Sequence, residues 1–70
     1  MKDQDLIRMA NQIASFFTPY TDEEAVAGIA DHIAKFWEPR MRKQLLAISE
    51  GAKGLDPLVR RALKDPAISA

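Results

Sequence analysis

Cysteine does not occur in this chain of 70 residues, and glycine occurs only three times. Without thiols there is no disulfide, no thiolate zinc site, no cysteine-ligated iron–sulfur cluster and no cysteine nucleophile, so the usual staples of a mini-domain are missing. The glycines form neither a GxGxxG nor a GxxxxGK pattern, which leaves no phosphate loop; Gly51-Ala52-Lys53-Gly54 reads instead as a helix stop and a turn. No apolar run approaches the ~20 residues of a membrane span. The start, Met1-Lys2-Asp3-Gln4-Asp5, is polar and acidic where a secretory signal needs a basic start and an apolar stretch, so the expected location is the cytoplasm.

What is present is 47% hydrophobic and 29% charged residues, the composition of one small soluble domain. In chains this short, apolar burial does little more than balance the entropy of ordering, so a partner subunit is expected from the outset. The net charge is zero, but the signs are segregated. Residues 1–38 hold three basic side chains against seven acidic ones, and residues 39–70 hold seven against three, with the switch at Glu38-Pro39-Arg40. Either the halves attract one another within the fold, or the second half offers a basic docking face. A neutral chain is a poor candidate for nucleic acid.

Apolar periodicity predicts an all-α fold. Leu6, Met9, Ala10, Ile13, Phe16 and Phe17 recur at steps of three and four, which gives a helix over about 4–17, capped by Asp3 or Asp5 and stopped by Pro19. Thr21-Asp22-Glu23-Glu24 has the form of a capping box, and opens a second helix over about 22–37 with Val26, Ile29, Ala30, Ile33, Phe36 and Trp37 on its apolar stripe. Ala27 and Gly28 are small enough for close approach. The short connection implies an antiparallel hairpin. Pro39 opens a third helix carrying Met41, Leu45 and Ile48 with Leu46 at its edge, ended near Gly51. Asp56 and Pro57 open a short fourth with Leu58, Val59, Ala62 and Leu63, ended by Asp65-Pro66. The expectation is a single helical domain over 1–70, a hairpin plus two shorter helices, with its core in about 4–64 and a frayed tail over 65–70.

Catalytic chemistry finds little support. His32 follows Asp31, but helical neighbours point about 100° apart, and no second histidine or cysteine completes a ligand set. It reads as a surface or interface histidine. Ser15, Ser49 and Ser69 lack nucleophile-elbow glycines. Asp22, Glu23 and Glu24 sit where a cap wants acids, and a calcium loop needs more oxygen ligands at stricter spacing. The expected sets of catalytic, cofactor-binding and metal-binding residues in this chain are therefore empty.

Phe36-Trp37-Glu38-Pro39-Arg40-Met41-Arg42 stands out, because aromatics, methionine and arginine are the residues enriched at protein interfaces. Arg40, Arg42 and Lys43 also crowd the start of the third helix, where they oppose its dipole at a cost of about 0.3–1 kcal/mol; local violations of this kind can mark a functional surface. Phe36 and Trp37 can instead close the core of a small bundle. The candidate partner-binding residues are Trp37, Arg40, Met41 and Arg42, with Phe36 and His32 beside them. A self-associating helical adaptor and a small helix-turn-helix regulator are the alternatives; against the latter, the Glu38-Pro39 connection lacks the usual turn glycine.

Three blocks, IRMANQIASFF (Ile7 to Phe17), GIADHIAKFWEPRMRKQLL (Gly28 to Leu46) and GLDPLVRRAL (Gly54 to Leu63), together resemble the small delta subunit of the soluble, molybdenum-containing, NAD-dependent formate dehydrogenases. The middle block is the most specific. The resemblance implies a catalytic alpha subunit that carries the molybdenum bis-pyranopterin and iron–sulfur clusters, with beta and gamma subunits passing electrons to flavin and NAD. It implies a delta subunit with no redox centre, which supports assembly of the active cytoplasmic enzyme. Neither nucleic acid nor membrane is expected among the partners.

Overall fold

The computed structural model describes residues 2–69, apart from the side chain of Ser69. They form five α-helices and no strand: α1 (Asp3–Phe16), α2 (Asp22–Phe36), α3 (Pro39–Ile48), α4 (Pro57–Ala62) and α5 (Pro66–Ser69). The boundaries follow local chemistry. Thr21 caps α2 by accepting from the Glu24 N–H (3.2 Å), while the Glu24 carboxylate accepts from the Thr21 N–H (3.2 Å). This reciprocal pair satisfies two donors that the helix start would otherwise leave open. Asp56 does the same service for α4, accepting from Leu58 N–H at 2.8 Å, with Pro57 as the first helical residue.

The start of α1 differs from expectation. Neither Asp3 nor Asp5 is its cap: the helix begins at Asp3 itself, and Lys2 precedes it with no side-chain cap. Both acids lie in the first turn, where the helix dipole favours them, and each has a partner of its own. The Asp3 carboxylate accepts from Gln44 Nε2 (3.1 Å), and Asp5 pairs with Arg8 (3.0 Å).

Packing centres on α2, which lies against α4, α5 and α1, while α1 also packs on α3 and α4. The hairpin of α1 and α2 is present but is not the dominant contact; α4 covers more of α2 than α1 does. Phe17, just past α1, lies over Gly28, and a Cβ at that glycine would fall 2.6 Å from the ring Cζ. The fully buried centre is Leu6, Ile29, Ile33, Leu45, Val59 and Ile68. No polar or charged residue is buried among the described residues. The Cα radius of gyration, 10.8 Å, matches the roughly 11 Å of a compact domain this long.

The expected frayed tail is overturned as far as Ser69. Pro66 cannot continue α4, but it starts a new helix, with the Asp65 carboxylate accepting from Ala67 N–H (2.9 Å), and Ile68 is 2% exposed. One isoleucine aimed at α2 and α3 is enough apolar area to dock four residues. Ala70 lies outside the described residues.

The segregated charges do not join the halves through ion pairs. Among the described residues, the two ion pairs are Arg8–Asp5 and Lys35–Asp31 (3.2 Å), each within one helix of the first half. Two side chains bind the connections instead. Asn11 donates to Gly54 O (2.7 Å) and accepts from Asp56 N–H (2.8 Å), which fixes the loop before α4 to α1. Arg60 donates to the carbonyls of Ser49 and Ala52 and holds the turn after α3.

Candidate interaction surface

Two adjacent aromatic pairs, Phe16-Phe17 and Phe36-Trp37, close α1 and α2. Neighbours on a helix point about 100° apart, so one member of each pair must leave the buried stripe. Trp37 goes in, 7% exposed, and Phe17 packs half-buried against the core. Phe16 and Phe36 go out, 72% and 71% exposed. With Tyr20 they are the large hydrophobic side chains left exposed among the described residues.

Phe16 lines a groove between α1 and α2. Met9, Gln12, Ile13 and Phe16 line one side and His32 and Trp37 the other, around about 210 Å³. Phe36 joins it through His32: their rings lie 4.8 Å apart, tilted by 41°, which is ordinary aromatic contact. The volume falls below the roughly 300–1,000 Å³ of small-molecule sites and suits a protruding protein side chain. A larger trough of about 440 Å³ lies where Arg8, Asn11 and Lys53 meet. Its polar groups do not converge on a ligand: Arg8 is paired with Asp5, and Asn11 is occupied with the 54–56 loop.

The sequence-predicted residues divide accordingly. His32 and Phe36 are exposed and belong to the surface, and Arg40 is exposed at the start of α3. Of the two expectations for Trp37, partner contact or closing the core, the structure shows the second: its indole packs into the chain's own core and presents only the groove floor. Met41 is half-buried against the same core. Arg42 is committed internally: its Nη1 donates to Ala34 O (3.1 Å), one of the last carbonyls of α2, which the helix itself leaves unpaired. A cation there also complements the negative end of the α2 dipole, so part of the basic crowding at the start of α3 serves the helix before it. Its Nε is buried without a partner.

Phe16 is the residue that sequence reasoning missed, because its spacing placed it on the core stripe. The signal that reveals it is the adjacency of two aromatics at a helix end. Among the described residues, no group of three or more His, Asp or Glu side chains gathers as a metal would require. No described helix is long and apolar enough to cross a membrane.

No curated protein and no solved structure matches the chain. A family model does: that of FdsD, described as the NADH-dependent formate dehydrogenase delta subunit, over residues 5–63. The match takes in all of α2 and α3, the groove, the exposed phenylalanines and α4. A chain without cysteine that folds as a small all-α domain with two phenylalanines turned outward, matched over most of its length, belongs to the FdsD family of formate dehydrogenase delta subunits.

Proposed function

We propose that this delta subunit is a non-catalytic component of a cytoplasmic, NAD-dependent formate dehydrogenase, and that it binds and stabilises the catalytic subunit that carries the molybdenum cofactor. The observation that carries the reading is the pair of outward phenylalanines, Phe16 lining a groove too small for a cofactor and Phe36 packed against His32 of its other side. Phe16, His32, Phe36 and Arg40 make the contact. Trp37, Met41 and Arg42 support it from beneath by fixing where α2 ends and α3 begins. The molybdenum bis-pyranopterin, the iron–sulfur clusters, the flavin and the NAD site belong to the partner alpha, beta and gamma subunits.

The mechanism is linkage. A subunit that binds only the folded, cofactor-loaded catalytic chain stabilises that state by RT ln(1 + [L]/Kd), about 2.7 kcal/mol at a hundredfold excess over Kd. Co-expression of the tagged chain with the other subunits tests this, followed by affinity purification, metal and pterin analysis, and formate-dependent NAD reduction. The expected outcome is co-purification of the catalytic subunit, with cofactor content and activity falling when this chain is omitted. An enzyme equally loaded and active without it would refute the role.

A further inference from the structure

We propose that the groove between α1 and α2, together with the cationic start of α3, receives an acidic amphipathic helix of the partner subunit. The inference rests on the delta-subunit reading above and adds the chemistry of the occupant.

Charge decides that chemistry. Arg8–Asp5 on α1 and Lys35–Asp31 on α2 tie up both cations of the helices that form the groove, and the acids left over lie at the helix starts, Asp3 on α1 and Asp22, Glu23 and Glu24 on α2. Arg40, three residues beyond Trp37 of the groove floor, and Lys43, three further on, stand exposed on one face of α3 with no ion pair among the described residues. The first turn of α3 contains no acid, and Glu38, which precedes it as N-cap, makes no side-chain bond to its N–H groups. Its unpaired N–H groups and two cations therefore add to one positive field, which local physics disfavours and an external carboxylate relieves. Arg42 has a use within the fold and Arg40 and Lys43 show none, so the two outer cations are the ones available to a partner.

Shape decides the rest. The groove wall runs from Met9 to Phe16, which is about 10 Å at 1.5 Å per residue, or two helical turns. An opposing helix laid along it would place apolar side chains at i, i+3 or i+4, and i+7 between Phe16 and the His32–Phe36 pair, and would bring its acids to Arg40 and Lys43. A second copy of this chain fits less well. In a two-fold contact the same patch meets itself, so each copy would set Arg40 and Lys43 against the other's, with the exposed Glu38 one acid against two cations. A standard interface of about 800 Å² per partner would also cover roughly a sixth of the 4747 Å² surface, far more than the groove itself offers.

The test uses the co-expressed formate dehydrogenase complex with three forms of this chain: unaltered, Phe16→Ala with Phe36→Ala, and Arg40→Glu with Lys43→Glu. All four positions are exposed, and thermal melts of the isolated chains verify folding. Each double variant is expected to raise the Kd for the complex at least tenfold, and the charge variant is also expected to remove most of the salt sensitivity of binding. A photo-crosslinking amino acid in place of Phe36 is expected to label a partner segment with acids on one side and apolar residues at helical spacing. If the unaltered chain fails to co-purify, the subunit reading itself fails. If it co-purifies and both variants bind as tightly, the subunit reading stands and this surface is wrong. A crosslink to a basic segment, or to a second copy of the chain, overturns the proposed occupant.

Discussion

Phe36 and Trp37 are neighbours in sequence with opposite environments, and their substitutions should diverge accordingly. Trp37→Ala removes a ring that is 7% exposed and opens a cavity in the core, so a loss of about 3–5 kcal/mol is expected in urea melts. Against the total of roughly 0.05–0.15 kcal/mol per residue that small domains possess, this removes from about a third to all of the stability of a chain of 70 residues. Phe36→Ala, at a site 71% exposed, should change stability by no more than about 0.5 kcal/mol. Equal losses at the two sites would show that the exposed ring also carries structure. Gly28 is a second such position. Helix propensity alone would make Gly28→Ala stabilising by about 1 kcal/mol, but the new methyl meets the Phe17 ring, and overpacking costs about 1–3 kcal/mol. The expected sum is a loss of about 1 kcal/mol, seen as a lower urea midpoint with unchanged slope. A raised midpoint would mean that the half-buried Phe17 ring swings aside at little cost.

Helix starts are set by side-chain chemistry within three or four residues, which is why Thr21 and Asp56 were legible as caps from sequence and Pro57 as the first residue of α4. The features that escaped prediction depend on groups distant in the chain. Asn11 reads as an ordinary polar residue of α1, yet its amide holds a loop more than forty residues away. Arg42 and Arg60 read as surface charge, yet each donates to carbonyls at the end of another helix or turn. Phe16 was misplaced for a related reason: periodicity says which residues share a face, but not how wide a stripe the neighbouring helices cover. The tail was misread because a single Ile68 carries the docking of α5, too sparse a pattern for any periodicity to detect. Ile68→Ala therefore makes a clean check. If α5 is docked as described, this change should cost about 2–5 kcal/mol, whereas a frayed tail would lose nothing measurable. Asn11→Ala, which abandons two hydrogen bonds of 2.7 and 2.8 Å, should cost about 1–3 kcal/mol at about 0.5–1.5 kcal/mol per bond.

Because α1, α4 and α5 all pack on α2, the slowest-exchanging amides of the isolated chain should lie in α2, and they should exchange only when the domain opens as a unit. This gives the assembly reading a quantitative consequence. A partner that binds the folded chain and not the unfolded one raises the free energy of that opening by RT ln(1 + [L]/Kd), so a hundredfold excess over Kd slows exchange about a hundredfold. The slowing should extend along the whole of α2, including the turns near Thr21, although the proposed contact lies toward Phe36. If only amides around Phe16, His32 and Phe36 slow, the partner shields a surface without stabilising this fold. Linkage also runs in the other direction: the same Kd sets how strongly the domain stabilises its partner. The protection measured in α2 should thus match the extra resistance of the catalytic subunit to unfolding when each is measured with the other at the same free concentration. In Phe16→Ala with Phe36→Ala, where the contact is weakened and the core is untouched, both quantities should fall together.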